Sequence, residues 1–452
     1  VDAVVGPGSG GVGDPVDISV TITNRGTEAA VGFWDDSVYL SADGIWDFGD
    51  VLLGRIGAPL IGRDLAPGES YTVSLSAVLP AVLPGSYRLM VRADNFNDLY
   101  EGARDDNNIG VSADAINVSV PTLTVGVPET VDFPAGGSLL YRVLVPAGET
   151  LRVSVDAEGG LNELYLRHEA LPSSTTNDGV FEGALVASPV AVVPTTKAGY
   201  YYILVRAQGG GSEVTLDASF LPFGISSITP DEAGADRYVT TTIRGAQFDP
   251  NATVKLIRPI FGEFVPVNYE VVDATRIVAV FDLRDAPLGL YDVQVTNPDG
   301  TTTIIPYRFL VEDPQEIDVS IGLGGPDELF LTKAGFDNGI YGVSLSSLTN
   351  VDTPYVFIQY GVPRINNTTF IPGERLKFQT NLQGAPDLDG VNWADLDGTL
   401  NLGGVITASG FAKDFRAGAF DALTFGLEIY PGLADLLREN PAFLEQLSED
   451  AL

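Results

Sequence analysis

The 452-residue chain has no cysteine, and this absence excludes several kinds of site. Without thiols there can be no disulfide, no thiolate-bound metal and no cysteine nucleophile. The absence is compatible with the cytosol and equally with extracellular modules that rely on their cores and on bound ions for stability.

Histidine is almost as scarce, because His168 is the only one. An HExxH zinc site needs two histidines, and a serine triad would need His168 as its base. His168 lies in LYLRHEAL (164–171), which alternates like a strand, and the sequence has no GxSxG elbow and no Walker loop. We therefore expect a protein that is not an enzyme, although so acidic a chain leaves paired-carboxylate hydrolysis open.

Positive charge is also sparse. Sixty acidic side chains stand against 25 basic ones, which gives a formal net charge of −35. Such a surface repels nucleic acid and anionic lipid, so we expect no nucleic-acid partner. It either attracts divalent cations or is simply a solvated acidic surface. Long apolar runs are missing too, so we expect no direct insertion into a membrane.

What the sequence does contain is alternation with period two. In DISVTITN (17–24), Ile18, Val20 and Ile22 fall on one face, and the same pattern recurs in 71–75 and 151–155. Successive side chains of a strand point to opposite faces, so this pattern predicts sheets with one buried face. Short strands separated by Gly, Pro, Asn and Asp are typical of β-sandwiches.

Turn-rich joints divide the chain into units of sandwich size. They lie near residues 120–124, 221–224 and 312–315. We therefore predict four domains, at 1–120, 121–222, 223–312 and 313–452. The joints are short and contain proline, which predicts a semi-rigid rod.

Only the C-terminus has a helical pattern. PGLADLLREN (431–440) places its leucines on one side, and a second short helix is expected to begin at Pro441. The predicted fold class is thus all-β: tandem immunoglobulin-like and jelly-roll-like β-sandwiches, with short helices only at the C-terminus. Since the chain begins with Val1, we expect it to be a processed or truncated piece of a longer protein.

The first predicted domain resembles the cell-adhesion-related domain found in bacteria (CARDB). The matching segments are VTITNRGT (20–27), VYLSADGIWDFGDVLLG (38–54), LAPGESYTVSLSAVLP (65–80) and VRADNFNDLYEGARDDNN (91–108). The resemblance implies an immunoglobulin-like sandwich of a surface protein, with a role in adhesion.

The next two domains resemble other accessory modules. ELYLRHEALPSSTTND (163–178) and AGYYYILVRA (198–207) are similar to the bacterial pre-peptidase C-terminal domain. That resemblance implies export and not peptidase chemistry. ISSITPDEAG (225–234), IRGAQF (243–248) and GLYDVQVTNPDG (289–300) resemble the immunoglobulin-like IPT/TIG domain of plexins and transcription factors. Residues 313–452 resemble no family that we would name.

Acidic loops are the candidate metal sites. Ca²⁺ takes six to eight oxygen ligands, and flexible acidic loops supply them readily. Two clusters in the first domain and a repeated DLDG motif (387–390 and 395–398) are candidates. The alternative for each is a turn whose Asp side chains cap backbone amides. The candidate calcium ligands of the first domain are Asp43, Asp47, Asp50, Asp94, Asp98, Glu101, Asp105 and Asp106.

Aromatic side chains are candidates for sugar binding. Trp34, Trp46, Trp393 and the tyrosines 200–202 could stack on pyranose rings, but adjacent tyrosines of a strand alternate in direction. Core packing is the favoured interpretation of these rings.

The sequence therefore predicts a secreted or cell-surface bacterial protein with a structural or adhesive role. Its modules would form a stalk, layer or filament, with calcium as a candidate stiffening ion. Its expected partners are copies of itself, other surface proteins or polysaccharide. The alternative is the non-catalytic, glycan-binding or presenting arm of a larger secreted hydrolase.

Overall fold

The computed structural model describes residues 1–57, 64–99, 107–133, 136–209, 212–324, 338–362, 376–381 and 406–429. In this part of the chain all regular structure is β-strand, arranged in eight sheets. The predicted all-β class is therefore confirmed, while the helices expected after residue 430 lie outside the described residues. No helix in the described part could cross a membrane.

The chain divides into two compact units, Val1–Pro222 and Phe223–Leu452. Each unit contains four sheets, and no sheet combines strands from both units. The finer division into four domains stays a prediction.

The first sandwich of unit one has eight strands. They are β1 (Ala3–Val5), β2 (Ser9–Gly11), β3 (Pro15–Thr23), β4 (Asp36–Ser41), β5 (Val51–Ile56), β6 (Ser70–Val78), β7 (Gly85–Arg92) and β8 (Ile109–Ser119). One sheet has the order β1-β3-β6 and the other β2-β8-β7-β4-β5. Ile18 and Val20 are fully buried between them and Ile22 is 8% exposed, so the alternation read in β3 is confirmed.

The second sandwich has nine strands. They are β9 (Thr122–Leu123), β10 (Glu129–Phe133), β11 (Ser138–Val145), β12 (Thr150–Ala157), β13 (Leu161–His168), β14 (Gly179–Val180), β15 (Val190–Val193), β16 (Gly199–Gly209) and β17 (Ser212–Leu221). Its sheets have the orders β10-β17-β12-β15 and β14-β13-β16-β11-β9. Leu151, Val153 and Val155 of β12 are buried in its core, as their alternation predicts.

Unit two begins with a third sandwich of nine strands. They are β18 (Gly224–Thr229), β19 (Glu232–Gly234), β20 (Tyr238–Ala246), β21 (Thr253–Arg258), β22 (Gly262–Phe264), β23 (Asn268–Asp273), β24 (Arg276–Asp282), β25 (Gly289–Thr296) and β26 (Thr302–Glu312). The sheet orders are β18-β20-β24-β23 and β19-β26-β25-β21-β22. Phe281, Tyr291 and Phe309 fill the core between the two sheets.

The described strands after residue 313 form two further sheets. The strands are β27 (Val319–Gly324), β28 (Asn338–Ser347), β29 (Thr353–Val362), β30 (Leu376–Asn381), β31 (Ile406–Phe415) and β32 (Phe420–Ile429). One sheet has the order β27-β28-β32-β30, and β29 pairs with β31 in the other.

Candidate functional site: acidic loops and module joints

The loop between β4 and β5 holds three of the predicted calcium ligands. Asp43 Oδ1 accepts a hydrogen bond from the Ile45 amide at 2.8 Å, and Asp47 Oδ1 accepts one from the Gly49 amide at 2.6 Å. Asp50 Oδ2 accepts from the Asp47 amide at 3.1 Å. Each carboxylate thus caps an amide of its own loop, which is the turn alternative raised by the sequence.

The second acidic cluster begins at a tight turn. Asp94 is 6% exposed and has a left-handed φ of 46°. Its Oδ1 accepts from the Asp98 amide at 2.8 Å and its Oδ2 from the Leu99 amide at 2.9 Å. Both oxygens therefore hold the turn together, and the Asp98 side chain is exposed.

The calcium assignment stays a prediction. Glu101, Asp105, Asp106 and both DLDG motifs lie outside the described residues. Among the residues that the structure does describe, no group of three or more Asp, Glu or His side chains is arranged to hold a metal ion. The carboxylate oxygens of Asp43, Asp47 and Asp50 accept hydrogen bonds from amides of their own loop instead.

The structure brings together a buried polar network that the sequence analysis did not find. Asp36 is completely buried, and its Oδ2 accepts from the Tyr71 hydroxyl at 2.6 Å. Trp34 Nε1 donates to that hydroxyl oxygen at 3.1 Å. Asp36 Oδ1 accepts from the Asp94 amide at 3.0 Å, which ties the 94–99 turn to β4. The only signal in the sequence was an aspartate two residues before the apolar run at 38–40.

Burial dominates the electrostatics of this network. Loss of hydration raises the pKa of Asp36 to about 6, and the hydrogen bonds from Tyr71 and the Asp94 amide limit the rise. Burial, together with the carboxylate of Asp36, raises the pKa of Tyr71 above its ordinary value. The phenol therefore remains a hydrogen-bond donor at neutral pH.

The only histidine is part of a turn at the end of β13. His168 Nε2 lies 3.0 Å from the carbonyl oxygen of Ala198, and its ring packs on Tyr201 with 5.1 Å between centroids. The backbone amide of His168 donates to Asp178 Oδ2 at 2.7 Å. These contacts connect the end of β13 to the turn before β16 and to the residue before β14.

The aromatic candidates divide between cores and half-buried positions. Trp34 is 4% exposed, and Tyr201 and Tyr202 are 1% and 6% exposed. Tyr201 faces the core of the second sandwich, whereas Tyr200 and Tyr202 face the opposite side, as the alternation requires. Trp46 is half-buried, and Trp393 lies outside the described residues.

An apolar joint connects the two sandwiches of unit one. Val12, Ala81 and Leu83 of the first sandwich pack against a buried cluster on the outer face of the second. The loop that carries Leu83 is held by a 2.8 Å hydrogen bond from the Tyr87 hydroxyl to the Leu83 carbonyl oxygen. We call this contact the apolar joint; its buried members are Val120, Leu140, Tyr165, Tyr202 and Leu204.

A polar joint connects the third sandwich to the strands that follow it in unit two. Asp352 Oδ2 accepts from the Thr240 amide at 2.6 Å, and its Oδ1 accepts from the Ala417 amide at 3.0 Å. Arg416 Nη1 donates to Thr242 Oγ1 at 3.1 Å. Asn350 is 3% exposed, and its carbonyl oxygen accepts from the Gly234 amide at 2.7 Å.

Glycine is required at position 234 of this polar joint. A Cβ there would lie 2.7 Å from Pro314 Cα and 2.8 Å from Val351 Cγ1. Those distances are too short for a side chain, so the backbone of β19 approaches the next segment as closely as it does only because residue 234 is glycine.

Replacing Asp352 by alanine is expected to loosen the polar joint. The substitution leaves the amides of Thr240 and Ala417 without their carboxylate acceptor. Because charge-assisted hydrogen bonds are the stronger kind, we expect the joint to lose about 2 kcal/mol of stability in total. Hydrogen exchange at these two amides should accelerate while the core of the third sandwich stays protected. Asp299→Ala is the matched control, because Asp299 caps only its own turn at Thr301. Unchanged exchange in Asp352→Ala would contradict this role.

Comparison with known proteins identifies a family match for the first sandwich. Residues 1–111 match the family model CARDB. The prediction that the N-terminal domain resembles CARDB is therefore confirmed. No curated protein matches the chain.

Solved structures show low identity to the chain. The pre-peptidase C-terminal domain of a Bacillus anthracis collagenase is 17% identical, covering 22% of this chain and 94% of that one, with a TM-score of 0.20. A Pyrococcus furiosus CARDB domain in complex with di-metal ions is 19% identical, covering 26% and 88%, with a TM-score of 0.19. SGBP-B of the Bacteroides ovatus mixed-linkage glucan utilization locus, in complex with a heptasaccharide, is 11% identical, covering 90% and 92%, with a TM-score of 0.23.

Proposed function

We propose that this chain is an extracellular structural or adhesive protein whose β-sandwiches act as spacers in a surface stalk, layer or filament. The observation that carries the proposal is the direct packing of consecutive modules within each unit. Side chains fill the apolar joint, and backbone amides are capped across the polar joint. A catalytic role forms no part of the proposal.

The physical argument concerns stiffness. A flexible tether lets neighbouring modules sample many orientations, whereas a joint with buried contacts favours one. Reach with a defined geometry is the property that a spacer needs. The acidic surface keeps such modules soluble at high local concentration, because like charges repel. Copies of the same chain, other surface proteins or polysaccharide are the proposed partners.

Electron microscopy of the purified chain, with and without EDTA, tests this proposal. We expect each of the two compact units to keep one shape from particle to particle. If calcium stiffens the first sandwich through the 94–106 segment, EDTA should broaden the particle shapes. Freely flexing, monodisperse monomers under both conditions would overturn the structural proposal.

A second candidate is the non-catalytic, glycan-binding or presenting arm of a larger secreted hydrolase. Arg55 and Arg92 of the first sandwich favour it, because neither has a carboxylate partner among the described residues and both lie over aromatic rings. This candidate predicts a catalytic domain in the same open reading frame. An open reading frame without one would count against it.

A further inference from the structure

Two arginines lie on the side of the five-stranded sheet that faces away from the core of the first sandwich, Arg55 exposed and Arg92 half-buried, and neither has a carboxylate partner among the described residues. In the strand register Arg55 of β5 and Arg92 of β7 both stand opposite Ser37 of β4. Residues directly opposite each other point to the same side of a sheet, and strands are about 4.8 Å apart, so the two backbone positions are about 10 Å apart. Cations so placed are unexpected in a chain with a net charge of −35.

Each guanidinium is stacked on an aromatic ring. Arg55 Cζ lies 5.1 Å from the centroid of the Phe96 ring, and Arg92 Cζ lies 5.3 Å from that of Trp46. Trp46 is itself held edge-on against Tyr39, with 4.5 Å between centroids. A guanidinium stacked through its face keeps its N–H edge free, and that edge matches the two oxygens of a carboxylate.

The other described arginines of the first sandwich are differently placed. Arg25 is paired with Asp2 at 2.6 Å. Arg88 Nη1 donates to the carbonyl oxygens of Ser112 and Ala113, both at 2.7 Å. Arg55 and Arg92 therefore stand out because their guanidinium groups lie over aromatic rings and have no protein acceptor within the described part of the chain.

We propose that Arg55, Arg92, Trp46 and Phe96, together the arginine patch, bind the carboxylates of an acidic polysaccharide built from uronic acids. Two guanidinium groups on one side of a sheet suit a polymer that carries carboxylates at intervals. Phe96 is 52% exposed beside Arg55, so it offers an apolar surface to the C–H face of a sugar ring. This ring favours a polysaccharide over an acidic peptide as the partner.

The acidic net charge of the chain does not prevent this binding at physiological salt. The Debye length at 0.15 M ionic strength is about 8 Å, so charges elsewhere on the chain are largely screened from the patch. The described carboxylates nearest to the four residues in sequence are Asp47, Asp94 and Asp98; Asp47 accepts from the Gly49 amide, and Asp94 accepts from the Asp98 and Leu99 amides.

Affinity electrophoresis of the full chain in gels containing polygalacturonate tests the proposal. We expect retardation by polygalacturonate and none by its fully methyl-esterified form, which has the same sugars without the charge. Arg55→Gln should weaken binding about tenfold or more, because a charge-assisted hydrogen bond is lost. Arg55 is exposed, so this variant is expected to fold, and Arg55→Gln/Arg92→Gln should abolish retardation.

The matched control is Arg25→Gln/Arg284→Gln, which removes the same charge from arginines already paired with Asp2 and Asp282. It should bind like the parent chain. Equal loss in the control would reduce the effect to net charge and overturn the site. Equal retardation by poly-glutamate would overturn the polysaccharide class, and no retardation by polygalacturonate would overturn the proposal. The electron-microscopy test of the spacer role is independent of each of these outcomes.

Discussion

Replacing Leu83 by aspartate is expected to open the apolar joint without unfolding either sandwich. Leu83 is half-buried, and its described apolar neighbours belong to the joint and not to the core of the first sandwich. A carboxylate there would lose hydration without gaining a partner, and the leucine contacts would be lost as well. We expect the contact between the two sandwiches to be weakened by about 2–3 kcal/mol, while each sandwich stays folded.

Spin-label distances measure this opening directly. The chain has no cysteine, so Ser70→Cys and Ser174→Cys, both at exposed positions, place one label on each sandwich of unit one. The parent should show a narrow distance distribution and Leu83→Asp a broad one. Val78→Asp is the control, because Val78 is on the same sandwich and 61% exposed. A narrow distribution in Leu83→Asp would show that the joint does not depend on this packing.

Replacing Asp36 by asparagine is expected to remove a pH dependence from the stability of the first sandwich. The pKa of Asp36 is about 6 in the folded protein against an ordinary 3.8. Between these values the folded state binds more protons than the unfolded state, so this group makes stability fall as pH rises through the window. By pH 7 the free energy of unfolding has fallen by on the order of 3 kcal/mol from its value at low pH, where the carboxyl is neutral in both states. About half of this fall takes place between pH 5 and 8.

Asparagine suits this comparison because it remains an acceptor for the Asp94 amide and carries no charge. Urea unfolding followed by tryptophan fluorescence reports mainly on the first sandwich, since it contains Trp34 and Trp46, two of the three tryptophans of the chain. The parent should lose roughly 1.4 kcal/mol more than Asp36→Asn between pH 5 and 8. Asp98→Asn, an exposed neighbour, should behave like the parent. Parallel pH profiles for the parent and Asp36→Asn would contradict burial of Asp36 as the cause.

The acidic loops show where sequence reasoning reached its limit. Asp43, Asp47 and Asp50 have the composition of a calcium loop, yet their oxygens accept from amides two or three residues away. Composition cannot distinguish these outcomes, because capping a turn and binding an ion use the same carboxylate oxygens. In contrast, Asp36 had no distinctive spacing, and its partners Tyr71 and Asp94 are 35 and 58 residues away.

The sequence by itself determined the all-β class and the faces of the strands. A strand repeats every two residues, so Ile18, Val20 and Ile22 are assigned to one buried face by local order alone. Only the tertiary structure decided which polar groups meet. The pairing of Arg55 and Arg92 across Ser37, the burial of Asp36 and the joint at Leu83 all depend on strand register and module docking. These arise from contacts between residues distant in sequence, and no local periodicity records them.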